Sequence, residues 1–220
     1  MNLSADYLKL YLVTDRDLAR GRSLVDVVQP AIGGGVTAVQ IREKDLGASA
    51  FLEEAMEIKR ALNDSGVPLF INDRADVALA AEADGLHVGQ ADLPAAAARR
   101  LIGPKILLGV SVATEEEARR AVSDGADYVS VSPVFLTATK PDADRAVGLA
   151  GIERIRRAVG STPVLAIGGI DATNARSIVE SGSDGVSVVS AIMTANDPRA
   201  AAQALRREVD AGLEKREPKW

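Results

Sequence analysis

The chain has 220 residues, 47% of them hydrophobic, and 26 Lys plus Arg against 31 Asp plus Glu give a formal net charge of −5. That length and apolar content suit one packed domain and exclude a disordered chain or a coiled coil, while the acidic balance argues against a nucleic-acid surface. With no cysteine and one histidine, His87, disulfides, thiolate zinc sites, a cysteine nucleophile and a histidine metal cluster are all excluded.

The first residues lack the basic start and apolar run of a signal peptide. No stretch reaches the roughly 18 uninterrupted apolar residues that span a bilayer. A cytoplasmic protein is expected. Short apolar, β-branched runs follow at 9–14, 38–42, 69–72, 85–88, 106–111, 128–132, 164–167 and 186–190. Amphipathic, Ala-rich helices are predicted between them, among others at 48–63, 93–102, 114–123 and 174–181. The charged end, 214–220, contains Pro218 and reads as an exposed tail.

Near-continuous apolar strands separated by helices mean a parallel sheet covered on its faces. A weak internal repeat adds to this. The even runs follow small-residue turns at 33–37, 83–85, 125–127 and 182–185, and three odd runs follow Pro68, Pro104 and Pro163. Eight strand-helix units in one chain point to a single-domain α/β protein, a (β/α)8 TIM barrel over 1–220, ahead of an open doubly wound sheet.

In such a barrel the chemistry lies at the carboxyl ends of the strands. Alternation along 39–44 turns Val39 and Ile41 towards the helices and sends Gln40, Arg42 and Lys44 into the mouth. A guanidinium there needs an anion, either an internal carboxylate such as Asp73 or a phosphorylated ligand. Asp73 and Asp92 follow the third and fourth strands and should be neighbours on the rim. Two carboxylates without histidine or cysteine suit Mg2+. The competing reading makes each a helix cap, most strongly for Asp92 before Leu93-Pro94. His87 reads as a satisfied core residue. Ser111 ends the fifth strand and offers a hydroxyl. The long segment 132–147 carries Thr137, Thr139 and Lys140 and reads as a functional loop. Gly168-Gly169 after the seventh strand, and Val189-Ser190 at the eighth, suit a phosphate.

Taken together, Gln40-Ile41-Arg42-Glu43-Lys44, Asn72-Asp73-Arg74, His87 to Asp92, Gly109-Val110-Ser111, Thr137 to Lys140 and Ile167-Gly168-Gly169-Ile170 resemble the thiamine-phosphate synthase family, in order and spacing from about Tyr11 to Ile192. The resemblance implies a Mg2+-dependent transferase that joins a pyrimidine diphosphate to a thiazole phosphate in thiamine biosynthesis. It implies that Gln40, Arg42, Lys44 and Asn72 hold the pyrimidine diphosphate, with Ser111 and Lys140 also on that substrate. Arg42, Lys44, Lys140 and Ser111 would carry the catalytic contacts. Asp73 and Asp92 would ligate the metal, and Thr137, Thr139, Gly169, Val189 and Ser190 would hold the thiazole phosphate.

Ser132 and Leu136 depart from the Gly and Pro common at those positions, and Ala113-Thr114 stand where a histidine is common. A thiazole tautomerase on the same barrel would need that histidine. A phosphosugar isomerase would want an acid/base pair without the accompanying Arg and Lys, and a non-catalytic phospholigand-binding barrel is the third alternative. The expected partners are small molecules, neither nucleic acid nor a membrane; a homo-oligomer is compatible with the sequence.

Overall fold

The computed structural model describes residues 5–136 and 146–216. Among these, eight parallel strands close into a barrel in strict chain order, β1 pairing with both β2 and β8. The strands are β1 Leu10–Val13, β2 Ala38–Ile41, β3 Leu69–Asn72, β4 Gly85–Val88, β5 Leu107–Val112, β6 Tyr128–Val131, β7 Val164–Ile167 and β8 Gly185–Val188. Around them lie α1 Leu24–Gly33, α2 Ala48–Leu62, α3 Ala75–Ala80, α4 Ala95–Ile102, α5 Glu115–Ser123, α6 Gly148–Val159, α7 Ala175–Glu180, α8 Ser190–Met193 and α9 Pro198–Lys215. No helix among the described residues is long and apolar enough to cross a membrane.

The helices form where an apolar stripe and a cap coincide. In α2 the buried residues Phe51, Ala55, Ile58 and Leu62 recur at helical spacing and face the sheet. Ser23 and Asp26 build a reciprocal capping box at the start of α1. Thr114 accepts from the Glu117 N–H to open α5, whose first turn carries Glu115, Glu116 and Glu117 at the favourable end of the helix dipole.

Strand alternation divides the core in two. Leu10, Leu12, Val39, Ile41, Ile71, Leu86 and Val129 belong to the outer layer packed by helices. Tyr11, Val13, Ala38, Phe70, Leu107, Tyr128 and Leu165 fill the barrel itself. Tyr11 and Phe70 ring centroids lie 5.2 Å apart, and Phe70 meets Tyr128 edge-on at 5.9 Å. Such pairs add about 0.5–1.5 kcal/mol each beyond the area they bury. Room for these rings comes from absent side chains: a Cβ at Gly85 would overlap Phe70, and one at Gly109 would overlap Tyr128.

The weak sequence repeat has a structural counterpart at the amino ends of the strands. A side chain just before each even strand accepts from the backbone of the odd strand beside it. The four bonds are Leu10 N–H to Thr37 Oγ1, Leu69 to Asp84 Oδ2, Leu108 to Asp127 Oδ2 and Val164 to Asp184 Oδ2, at 2.7–2.9 Å. Basic residues of the outer helices close the same turns: Lys59 on Ala81 O, Arg99 on Gly125 O and Arg206 on Gly35 O. Arg99 and Arg156 also pair with the accepting carboxylates themselves, Asp127 and Asp184.

Several boundaries differ from expectation. The fifth strand starts at Leu107 rather than 106, because Arg99 takes the Ile106 carbonyl at 2.8 Å. The eighth runs from Gly185 to Val188; Val189 leaves the strand at ψ −83° and Ser190 opens α8. The helix expected from 93 opens at Ala95, after Pro94 with an extended ψ of 138°. The tail expected from 214 is helical to Lys215, and Arg216 is held by Ser183 O and the Asp184 carboxylate. Residues 217–220 lie outside the described residues.

Candidate active site

A cavity of about 390 Å³ opens at the carboxyl end of the barrel. Gln40, Arg42, Lys44, Asn72, Asp73, Asp92, Ser111, Gly169, Val189 and Ser190, each expected at a site, all line it. Thr137, Thr139 and Lys140 lie outside the described residues.

The floor is a buried polar chain. Gln40 Nε2 donates to the Tyr11 hydroxyl at 3.0 Å, and that hydroxyl meets the Tyr128 hydroxyl at 3.2 Å. Tyr128 in turn bonds His87 Nδ1, and His87 Nε2 bonds Ser111 Oγ, both at 2.9 Å. Burial holds both phenols protonated, pushing them far above the usual phenol range. A network with every link bonded locks side chains at low cost. It orients Gln40 on one side of the cavity and Ser111 on the other. His87 is thus a satisfied interior residue, as its position between Leu86 and Val88 suggested. The two tyrosines were absent from the sequence-derived site, and inward alternation at the middle of β1 and the start of β6 was the signal for them.

Asp73 and Asp92 come together. The Asp73 backbone stands at φ +61°, a left-handed conformation that Asp tolerates better than most residues, and its N–H donates to His87 O at 2.8 Å. Asp92 does not cap α4. Its Oδ2 instead accepts from the Gly89 N–H at 2.8 Å, folding the 89–92 turn back so that the carboxylate faces Asp73. The helix after Asp73 likewise has Arg74 as its N-cap position and no side-chain cap. Neither helix-cap reading holds. Burial raises the Asp73 carboxyl above its ordinary range, and contact with Asp92 adds to the rise while Lys44 opposes it. In Asp92, burial is outweighed by hydrogen bonds from Asp73 and Gly89 and by the charges of Lys44 and His87, so it ends below. Two like charges in contact form a place for a cation.

Lys44 Nζ fills that role, bonded to Asp73 Oδ2. Asp73 is thus taken by Lys44, and the Arg42–Asp73 pairing considered above does not form. Arg42 is anchored through its backbone, its N–H donating to Thr14 Oγ1 at 3.3 Å, and its side chain lines the cavity half-buried.

On the opposite wall the chain is bare backbone. Gly168 and Gly169 take φ of 110° and 64°, and a Cβ on them would come within 2.7 Å of Pro133 Cβ and 2.9 Å of Phe135 Cβ. The 132–136 strip lies against them: Val134 N–H donates to Ile167 O and Phe135 N–H to Gly168 O. Val147 and Gly148 N–H groups donate to Pro133 O and Val134 O, so the long segment leaves and returns at one point. Thr114, two residues after β5 ends, caps α5 through its hydroxyl.

Residues 10–192 match the family model described as thiamine monophosphate synthase. The thiamine-phosphate synthase of Chloroflexus aurantiacus is 53% identical over 207 residues, covering 94% of this chain and 95% of its own. That of Albidiferax ferrireducens is 50% identical, covering 93% of each. Among solved structures, a thiamine phosphate pyrophosphorylase from Pyrococcus furiosus superposes with a TM-score of 0.87 at 40% identity, over 95% of this chain and 98% of that one. A 3-hexulose-6-phosphate synthase, at 20% identity and a TM-score of 0.67, shares the fold alone. The chain belongs to the thiamine monophosphate synthase family and is a (β/α)8-barrel transferase of thiamine biosynthesis.

Proposed function

We propose that this chain joins 4-amino-5-hydroxymethyl-2-methylpyrimidine diphosphate to hydroxyethylthiazole phosphate, giving thiamine phosphate and diphosphate. The observation that carries the proposal is the Asp73–Asp92 contact beside Lys44 and Arg42 in one cavity. Adjacent carboxylates next to two cationic side chains suit a diphosphate that arrives with a divalent ion.

The donor set fits Mg2+. Hard carboxylate oxygens are its preferred ligands, and among the described residues no third acidic or histidine side chain joins the pair. The remaining positions therefore fall to substrate oxygens and water. Asp73 and Asp92 would hold the ion, and when bound it supplies positive charge against the departing diphosphate.

The rest falls to the chain's own residues. Gln40, Arg42, Lys44, Asn72 and Lys140 hold the diphosphate and pyrimidine, with Ser111 fixed by His87. Gly169, Val189, Ser190, Thr137 and Thr139 take the thiazole phosphate, which presents the ring nitrogen to the pyrimidine methylene. The methylene carbon–oxygen bond breaks with its electron pair going to diphosphate. The electron-rich aminopyrimidine stabilises the resulting cation, and the thiazole nitrogen forms the new bond. No protein nucleophile or strong base is required, so the catalytic contribution is orientation and charge. The proposal includes a cytoplasmic setting and small phosphorylated molecules as the only required partners.

The test is an assay of purified protein with each component omitted in turn. Thiamine phosphate should form only with both substrates and Mg2+. No product at any metal concentration contradicts the proposal.

A further inference from the structure

Behind the cavity wall, two more carboxylates meet outside the metal pair. Glu43 lies between Arg42 and Lys44 just after β2, and Glu54 stands on α2. Their side chains are only 7% and 11% exposed. The two carboxyl groups lie side by side. One guanidinium serves both: Arg16 bonds Glu54 Oε1 and approaches Glu43 Oε1 at 3.5 Å. Among the described residues, none donates a hydrogen bond to Glu43 Oε1 or Glu54 Oε2, and both atoms are removed from water.

Two buried carboxylates facing a single cation leave one uncompensated negative charge and two unsatisfied acceptors. Burying such a charge is costly, and a proton between the two oxygens removes both problems. We infer that Glu43 and Glu54 share one proton and, clamped by Arg16, act as positioning residues that hold the Arg42–Lys44 segment where it receives the diphosphate. The inference rests on the proposed function for its consequence, because that segment supplies two of the cationic ligands.

Arg16 belongs to the stretch after β1, close to Thr14 and Asp15 of the cavity lining, so the clamp joins the first two βα connections across the helix layer. Burial first, and then the charge and hydrogen bond of Glu43, push the Glu54 carboxyl up to about 7, with Arg16 pulling the other way. Of the other charged residues on helices packed against α2, Asp26 of α1 bonds Ser23 and Asp76 of α3 pairs with Arg74. Neither is engaged with the pair. As pH rises through neutrality the proton leaves, the carboxylates repel, and the segment between them and the diphosphate loosens. The effect should fall on KM for the pyrimidine diphosphate more than on kcat.

Glu54→Gln tests this, since an amide N–H replaces the shared proton at every pH. The substrate's own titration is common to both proteins and cancels in their ratio. From pH 6 to pH 8.5 the KM of the wild type should rise on the order of tenfold relative to the variant, the effect of about one pKa unit of coupling. A wild-type to variant KM ratio that stays constant over that range overturns the inference. Glu43→Gln places the same amide on the other side and should behave alike. Carbon-13 carboxyl spectra of the wild type need neither variant nor turnover: one Glu should titrate near neutrality, and titration of every Glu below about 5.5 overturns the shared proton. A failure of the proposed reaction shows as missing product, whereas a failure of the pair shows in the carboxyl titration.

Discussion

Asp92→Asn is expected to lower turnover on the order of 10²–10³-fold and to raise the Mg2+ concentration needed for half-maximal rate, while the thermal midpoint moves little. The reasoning is local. The Asn amide oxygen can replace Asp92 Oδ2 as the acceptor that the Gly89 N–H requires, so the 89–92 turn survives. What disappears is one of the two charges that make a cation favourable there. With Asp92 neutral, the rise that its contact imposes on the Asp73 carboxyl is relieved, and Lys44 alone balances Asp73. A variant that melts early but keeps wild-type metal dependence would make Asp92 a structural residue of its turn. A Mg2+ titration of steady-state rates, paired with a melting curve, separates the two.

The largest stability loss is expected at the other end of the barrel. In Asp184→Ala the Arg156 guanidinium, 5% exposed, loses its carboxylate partner at 2.9 Å. Val164 N–H loses an acceptor at 2.8 Å, and Arg216 loses its bond at 2.7 Å. Burial already disfavours the charged form of Arg156, lowering its pKa. Removing one partner of a buried pair costs roughly 3–5 kcal/mol, because the remaining charge stays in the interior. At about 2–4 °C per kcal/mol for a chain of this size, the midpoint should fall by roughly 6–20 °C. Asp184→Asn, which keeps an acceptor for Val164, should lose less. Substrate KM values measured well below the transition should be unchanged, since these groups sit at the amino ends of the strands. Thermal unfolding of both variants checks the order.

The barrel was legible in the sequence because its signals are local. Runs 69–72, 85–88 and 164–167 have the observed strand limits, since each is bounded by proline or a small-residue turn. The start of β5 was not, because it depends on Arg99 from α4 reaching across to Ile106. The rim residues were legible through alternation and strand order. Their pairing was only partly so: the Asp73–Asp92 contact followed from adjacent strands, but the choice of Lys44 over Arg42 as partner is a matter of side-chain reach. The Tyr11–Tyr128 link joins residues 117 positions apart and exists only because the sheet closes. The Glu43–Glu54 pair needed the placement of α2 behind β2. Contacts made by closure or by helix docking leave little trace in local spacing, whereas periodicity, proline and glycine do.

The most direct test of the central claim, that Asp73 and Asp92 with Arg42 and Lys44 form a combined diphosphate and metal site, is calorimetric titration of inorganic diphosphate with and without Mg2+. Metal should tighten binding to the wild type by at least about tenfold, the equivalent of roughly 1.4 kcal/mol, and should have little effect on Asp73→Asn. Equal affinity of the wild type with and without Mg2+ would contradict it.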